Sequence, residues 1–317
     1  MAVYTTVPAD ALAAFLADYD LGALVRHDGV AQGVENTNYI VETARRRFIL
    51  TLFEKRVDPA DLPFFVAFMA HVAAAGIAAP EPIADRRGRA LKTLCDRPAL
   101  ATTFLNGAGV AGTPSPHEAR AVGAVSARLH RAAETFARSR ENALGPAGWA
   151  RLAAACGADA ETCAPGLARL IADELAAVRG AWPTGLPRGV VHADLFPDNV
   201  FFDGEACTGV IDFYFSCTDF FAYDLAITLN AWCGEGGWSA ERARALMDGY
   251  EAVRPLAPDE RAALPVLLRG AALRFLLTRA YDWLHRTDGA TLTVKDPLVY
   301  RDLLDFLRRG APPGLQG

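Results

Sequence analysis

The sequence predicts an α+β fold in two lobes, a small antiparallel-sheet lobe over residues 1–105 and a mostly helical lobe over residues 106–317. Three observations predict it. Up to about Leu105, short apolar runs alternate with turns and a single longer helical stretch. From His117 onward, apolar residues recur at helical spacing. Between Val190 and Ser216, the run VVHADLFPDNVFFDGEACTGVIDFYFS sets two strand-like pieces around a polar turn.

Each element follows from local chemistry. The opening stretch, MAVYTTVPADALAAFLADYDLG, carries acids and no basic run, so it reads as a helix ending near Gly22 and not as a secretion signal. Gln32 to Thr43 reads as a polar turn entering a strand, Arg45 to Arg47 as the next turn, and Phe48 to Phe53 as the return strand. A helix spans Leu62 to Ala75 and is closed by Gly76; Pro80 and Pro82 mark a loop. Apolar pieces at Ala90 to Leu94 and Ala99 to Leu105 complete the sheet, and Ala99 to Asn106 is expected to link the lobes. Gly107 to Pro116 is rich in turn residues. Helices are expected over His117 to Phe136, with Val122, Val125 and Leu129 facing the core and His130 at its edge, then over Leu167 to Val178 and from Tyr223 on.

The polar turn carries the chemistry. His192, Asp194 and Asn199 lie on it, and Asp212 follows the second strand-like pair, after the hairpin turn at Asp203-Gly204. Phosphoryl transfer needs an acceptor in line, metal ions on the phosphate oxygens and a carboxylate near the attacking hydroxyl. Magnesium takes oxygen ligands and keeps several waters. Asn199 and Asp212 would supply those oxygens, and Asp194 is then the carboxylate left to orient the acceptor hydroxyl and take its proton. Each residue alone is an ordinary turn former. It is the joint spacing, between two strands, that points to an enzyme.

His192-Ala-Asp-Leu-Phe-Pro-Asp-Asn199, followed by Ile211-Asp-Phe213, resembles the catalytic and metal loops of the aminoglycoside phosphotransferase and choline kinase superfamily, a small-molecule branch of the protein-kinase-like fold. Protein kinases carry Arg where this chain has Ala193 and Gly where it has Tyr214, and no A-P-E triplet follows, so a protein kinase is not expected. GVENTNY followed by FILTLFEKR, DLPFFVAFMAHVAAAGIAAPEPI, and IDFYFSCTDFFAYDLAI are similar to the bacterial homoserine kinases of that superfamily, from about Tyr4 to about Leu307. The resemblance implies ATP and Mg2+ as cofactors, direct transfer of the γ-phosphate to the hydroxyl of L-homoserine, and a step toward threonine.

It also implies roles for further residues. The first hairpin would cover the triphosphate, with Gly33 allowing close approach and Asn36, Thr37 and Asn38 offering side-chain donors. His192 would support the catalytic loop without acting as base. Adenine would bond the linker backbone around Thr103. Relatives place a Lys or Arg in the third strand, where this chain has Thr51; Lys55 either reaches back over the phosphates or is a solvated lysine beside Glu54. Homoserine carries an ammonium and a carboxylate, so the acceptor pocket calls for both signs. Asp198, Asp219 and Asp224 are its acidic candidates, Arg274 and then Arg279 its basic ones, and Tyr214 a wall. Asp224 has a competing reading as a brace of the catalytic loop. Another hydroxylated amine as acceptor, such as choline, an aminoglycoside, hydroxylysine or methylthioribose, and a nucleotide-binding protein without catalysis remain the alternatives.

Composition bounds the rest. The chain has 317 residues, 52% of them hydrophobic, and a net charge of −5, which offers no basic footprint for nucleic acid. No apolar run reaches the length of a membrane span. Six cysteines without a CxxC pair point away from structural zinc and toward reduced thiols, hence a cytoplasmic location.

Overall fold

The computed structural model describes residues 3–30, 36–54, 57–286 and 295–315. The expected nucleotide residues Gly33 and Lys55 lie outside them. Two compact units form: residues 1–106 with Gly209–Tyr214, and residues 107–208 with 215–317. Asp212 therefore belongs to the first unit, and His192, Asp194 and Asn199 to the second.

In the first unit, helix α1 (Ala9–Leu16) precedes strands β1 (Leu24–Gly29), β2 (Thr37–Thr43) and β3 (Arg47–Leu52). Helix α2 (Leu62–Ala74) and strands β4 (Leu91–Leu94) and β5 (Arg97–Thr103) complete it. The five strands make one antiparallel sheet in the order β1-β2-β3-β5-β4. Alternation sorts its two faces. Thr37, Tyr39, Val41 and Thr43 are all buried in β2, as are Phe48, Leu50 and Leu52 in β3. Tyr39, Val41, Phe48, Leu50 and Leu52 share one core with Leu12, Phe15 and Leu16 of α1. Asn38 and Thr51, directly opposite one another in the register, point to the other face. A one-residue slip would exchange the two sets, so this apolar alternation fixes the register.

Two expectations need correction here. β1 was not anticipated, because LVRHDG is mostly exposed and lacks an apolar period. The segment 99–106 is not a free linker: residues 97–103 form β5, with Phe48 opposite Thr103. The Thr103 amide donates to the Glu81 carbonyl at 2.9 Å and its hydroxyl accepts the Glu81 amide at 2.9 Å, so its N–H is not offered to adenine.

The second unit opens with the short strand β6 (Ala108–Gly109), then helices α3 (Pro116–Ala133), α4 (Pro146–Cys156) and α5 (Leu167–Ala181). Strand β7 (Arg188–Val191) leads to the catalytic turn, followed by β8 (Val200–Asp203), β9 (Ala206–Val210), whose last two residues belong to the first unit, and β10 (Cys217–Phe220). Helices α6 (Phe221–Leu229), α7 (Ala240–Glu251), α8 (Pro258–Leu284) and α9 (Leu298–Leu307) finish the chain. α3 begins with a complete capping box, Ser115 and Glu118 bonding each other's backbone N–H. α3 and α7 cross at glycines: a Cβ on Gly123 would lie 2.1 Å from the Leu246 carbonyl oxygen, and one on Gly249 2.0 Å from that of Arg120. A π-helical turn, Asn230–Gly234, follows α6 and is wholly buried. β10 pairs antiparallel with β7, setting Cys217 opposite Val191 immediately before His192.

Candidate active site

The catalytic turn is held from outside at Ala193 and Leu195 and from within at Asp194. Ala193 has φ +64°, a region that costs a non-glycine residue on the order of 1–3 kcal/mol. Both of its peptide groups are engaged: its N–H donates to Asp224 Oδ1 at 2.7 Å, and its carbonyl accepts from Arg274 Nη1 at 2.7 Å. The Asp194 carbonyl accepts Phe196 N–H and Asn199 Nδ2, each at 2.9 Å, and Asn199 Nδ2 also lies 3.2 Å from Asp194 Oδ2. The Leu195 carbonyl accepts Trp232 Nε1 at 2.8 Å. Residues from α6, α8 and the π-helical turn thus fix a strained segment and the carboxylate it carries. The π geometry fits a pattern in which such turns sit at functional sites.

Behind Asp224 runs a buried polar chain. Asp224 Oδ2 meets His130 Nε2 at 2.8 Å, and His130 Nδ1 meets the Tyr250 hydroxyl at 2.8 Å. Arg254 Nη1 donates to that hydroxyl at 3.0 Å, and Arg254 pairs with Glu260 at 3.0 Å. All five side chains are buried. Burial pushes the Asp224 carboxyl up, but the His130 hydrogen bond and charge, with the Ala193 N–H, hold it below the ordinary carboxylate range. Asp224 is therefore a brace of the catalytic turn, and His130 a bonded core residue. No sequence signal pointed to Tyr250, Arg254 or Glu260, because what ties this local trio to the turn is the bond from Tyr250 to His130, 120 positions away.

Asn199 is suited to a metal. Its Nδ2 is committed to Asp194, which fixes the amide's orientation and leaves the carbonyl oxygen as the group on offer. Asp212 also has φ +64°. An amide oxygen and a carboxylate suit a hard cation such as magnesium.

In the first unit, Val210 N–H donates to the Ala78 carbonyl at 3.0 Å, Phe213 packs edge-on against Phe68, and Tyr214 packs edge-on against Phe53 and Phe65. Burial, then the Asp212 carboxylate, push the Tyr214 hydroxyl well above its ordinary pKa. Tyr214 is half-buried, its ring held against Phe53 and Phe65 of the same unit. Thr51 Oγ1 donates to Asn38 Oδ1 at 2.7 Å, so a neutral pair occupies this strand position. Asn36 is buried, with its Oδ1 3.4 Å from the Glu54 amide. Thr37 is a correction: alternation turns it to the α1 face, where its hydroxyl donates to Glu54 Oε1 at 2.7 Å, away from Asn38.

The acceptor candidates are dispersed. Asp198 is exposed on the short turn before β8, 3.7 Å from Lys295. The Asp219 carboxylate accepts Asn142 Nδ2 at 2.6 Å and Phe220 N–H at 2.7 Å, and burial raises its pKa. Those bonds tie it to the segment before α4 and to the start of α6. Arg274 is buried between the rings of Phe215 and Phe275; its Nε is buried without a hydrogen-bond partner.

A model of the phosphotransferase enzyme family (APH) matches residues 28–256. The homoserine kinase of Methylorubrum populi is 52% identical over 313 residues, covering 98% of this chain and 97% of its own. That of Xanthobacter autotrophicus is 53% identical over 308 residues, covering 96% of each chain. Among solved structures, a spectinomycin phosphotransferase with ADP and its substrate superposes with a TM-score of 0.73 at 13% identity, covering 96% of this chain and 98% of that one. A microcompartment-associated aminopropanol kinase gives 0.68 at 19% identity, covering 95% and 94%. These two likenesses establish the fold, α+β and protein-kinase-like. With the family match spanning most of its length, the chain belongs to the phosphotransferase enzyme family.

Proposed function

We infer that this chain is an ATP-dependent homoserine kinase, transferring the γ-phosphate to the hydroxyl of L-homoserine in threonine biosynthesis. The observation that carries this reading is the near full-length identity, above half, to homoserine kinases. The fixed Asp194–Asn199 turn supports the chemistry.

Asp194 is the proposed base. Its peptide is anchored on both sides, so its carboxylate is set before the acceptor arrives, and little reorganisation is left for the reaction. It would orient the hydroxyl and accept its proton late in transfer, with no phosphoenzyme. Asn199 and Asp212 are the proposed magnesium ligands; the ion, when bound, neutralises charge developing on the phosphate oxygens. Asn38 and Asn36 are the described candidates for the nucleotide, with Lys55 and Gly33 as the neighbouring ones. Arg274 holds the Ala193 carbonyl and brings a buried positive charge to the catalytic turn, and it is the proposed counter-charge to the acceptor carboxylate. Asp198, exposed beside that turn, is the proposed partner of the ammonium. Among the described residues no helix is long and apolar enough to cross a membrane. All six cysteines are free thiols, which supports the proposed cytoplasmic location.

The test is ADP release with magnesium-ATP across L-homoserine, L-serine, L-threonine, choline, kanamycin, hydroxylysine and methylthioribose. Turnover concentrated on L-homoserine is expected. Turnover on another acceptor alone would replace the substrate and leave the phosphotransferase standing.

A further inference from the structure

Residues 3–7 cross the α1 face of the first-unit sheet, and their polar groups converge on two side chains. The amides of Tyr4 and Thr5 donate to Thr37 Oγ1 at 3.0 and 3.2 Å. The hydroxyls of Thr5 and Thr37 both donate to Glu54 Oε1, at 2.8 and 2.7 Å. Arg97 Nε pairs with the other oxygen, Oε2, at 3.1 Å. The Tyr39 hydroxyl fastens the same segment twice, donating to the Thr5 carbonyl at 2.9 Å and accepting Val7 N–H at 3.1 Å. Val3 lies over β1 where only glycine leaves room: a Cβ on Gly29 would come within 2.6 Å of Val3 Cγ2.

The two gripped residues are interleaved with nucleotide candidates. Thr37 stands between Asn36 and Asn38, and the Glu54 amide reaches Asn36 Oδ1. α1 packs on the same face of the sheet through Leu12, Phe15 and Leu16, and Val7 joins that core beside them. Without the Thr5 hydroxyl, Glu54 Oε1 loses one of its two hydroxyl donors, while the Tyr4 and Thr5 amides still reach Thr37 Oγ1. Unmet buried polar groups are costly, so the strain would fall on Glu54 and, through it, on Thr37 and Asn36.

We propose that residues 3–7 are a strap that positions Asn36 and Asn38 for ATP through Thr37 and Glu54. Thr5, Thr37 and Glu54 are positioning residues that touch neither substrate, and the role rests on reading this unit as the ATP-binding one. Coupling between strap and nucleotide is reciprocal. A strap that favours ATP binding must itself be held more firmly when ATP is bound.

The test is steady-state kinetics of Thr5→Val and Thr5→Ser in the full chain, with amide exchange of residues 3–7 with and without a non-hydrolysable ATP analogue. Thr5→Val is expected to raise the KM for ATP about three- to tenfold while kcat and the KM for L-homoserine stay within about twofold. Thr5→Ser, which keeps the hydroxyl, should restore it, and the analogue should slow exchange at Tyr4 and Thr5 in the wild type. Gly29→Ala, which displaces Val3 and leaves every side-chain donor in place, should reproduce the shift, and Val3→Ala in the same chain should relieve it. An unchanged KM for ATP in both Thr5→Val and Gly29→Ala, with exchange indifferent to the analogue, overturns the strap while leaving the kinase intact. A wild type that neither binds nor turns over ATP overturns the kinase reading, and the strap with it.

Discussion

Asp194 and Arg274 carry the sharpest expectations at the scale of single residues. Asp194→Asn keeps the shape of the turn and removes the proton acceptor. Loss of general-base assistance should lower kcat by roughly 10²–10⁴-fold with the melting temperature little changed. Near-normal turnover in a folded variant would remove Asp194 from the base role. Arg274→Lys keeps the charge but loses the planar fork that reaches the Ala193 carbonyl. A hydrogen bond from a charged group is worth about 1.5–3 kcal/mol, so kcat/KM for L-homoserine should fall roughly 10- to 100-fold. Steady-state kinetics with varied acceptor checks this. Both Asp194 and Asn199 were legible from spacing, because turn residues at fixed offsets on one short loop meet whatever the rest of the chain does. Thr37 was not, because its neighbours suggested a loop donor, while strand alternation sends it to the opposite face.

Elements set the next level. α3 and α7 approach so closely that Gly123 and Gly249 each face a backbone carbonyl of the other helix. Gly123→Ala gains helix propensity but must separate the pair. Overpacking of this kind costs about 1–3 kcal/mol, so urea unfolding should show a lower midpoint. The turn after Ile83 offers a pH test. The Asp85 carboxylate accepts the Arg89 and Arg87 amides and the Arg89 guanidinium, each at 2.9 Å. The Arg89 amide is the largest influence, and together these groups hold the carboxyl at about 2, below its ordinary 3.8. A depressed folded-state pKa means the stabilisation is complete above about 3.8 and is lost as pH falls toward about 2. Asp85→Asn should therefore weaken the fold at neutral pH and flatten the acid limb in that window, as read from urea midpoints against pH. The helices from α3 onward were largely legible because their apolar spacing is strong. β1 was invisible because an edge strand exposed along most of its length carries no apolar period.

For the whole molecule, ligand linkage is the measurable consequence. Magnesium-ATP at a hundredfold its Kd should stabilise the protein by about 2.7 kcal/mol. Asp212→Ala should lose the magnesium-dependent part of that gain and the metal-dependent turnover, and calorimetry with ATP alone and with magnesium-ATP separates the two. Equal stabilisation of Asp212→Ala and wild type by magnesium would remove Asp212 from the metal site.

The sequence by itself determined the class of chemistry and the two-lobed α+β plan, and it singled out the residues proposed for the catalytic turn. These depend on short-range patterns: the offsets of His192, Asp194 and Asn199, and apolar periods of two and of 3.6 residues. Only the tertiary structure decided what holds that turn. Asp224, His130, Tyr250, Arg254, Glu260 and Arg274 come from four helices and the segment joining two of them, up to 144 positions apart along the chain. It also decided that Glu54 faces Thr5 and Arg97, that Tyr214 packs on Phe53 and Phe65, and that Thr103 bonds Glu81. The physical reason is the same throughout. A buried polar group must find a partner wherever the fold brings one, and sequence distance carries no information about which partner that is.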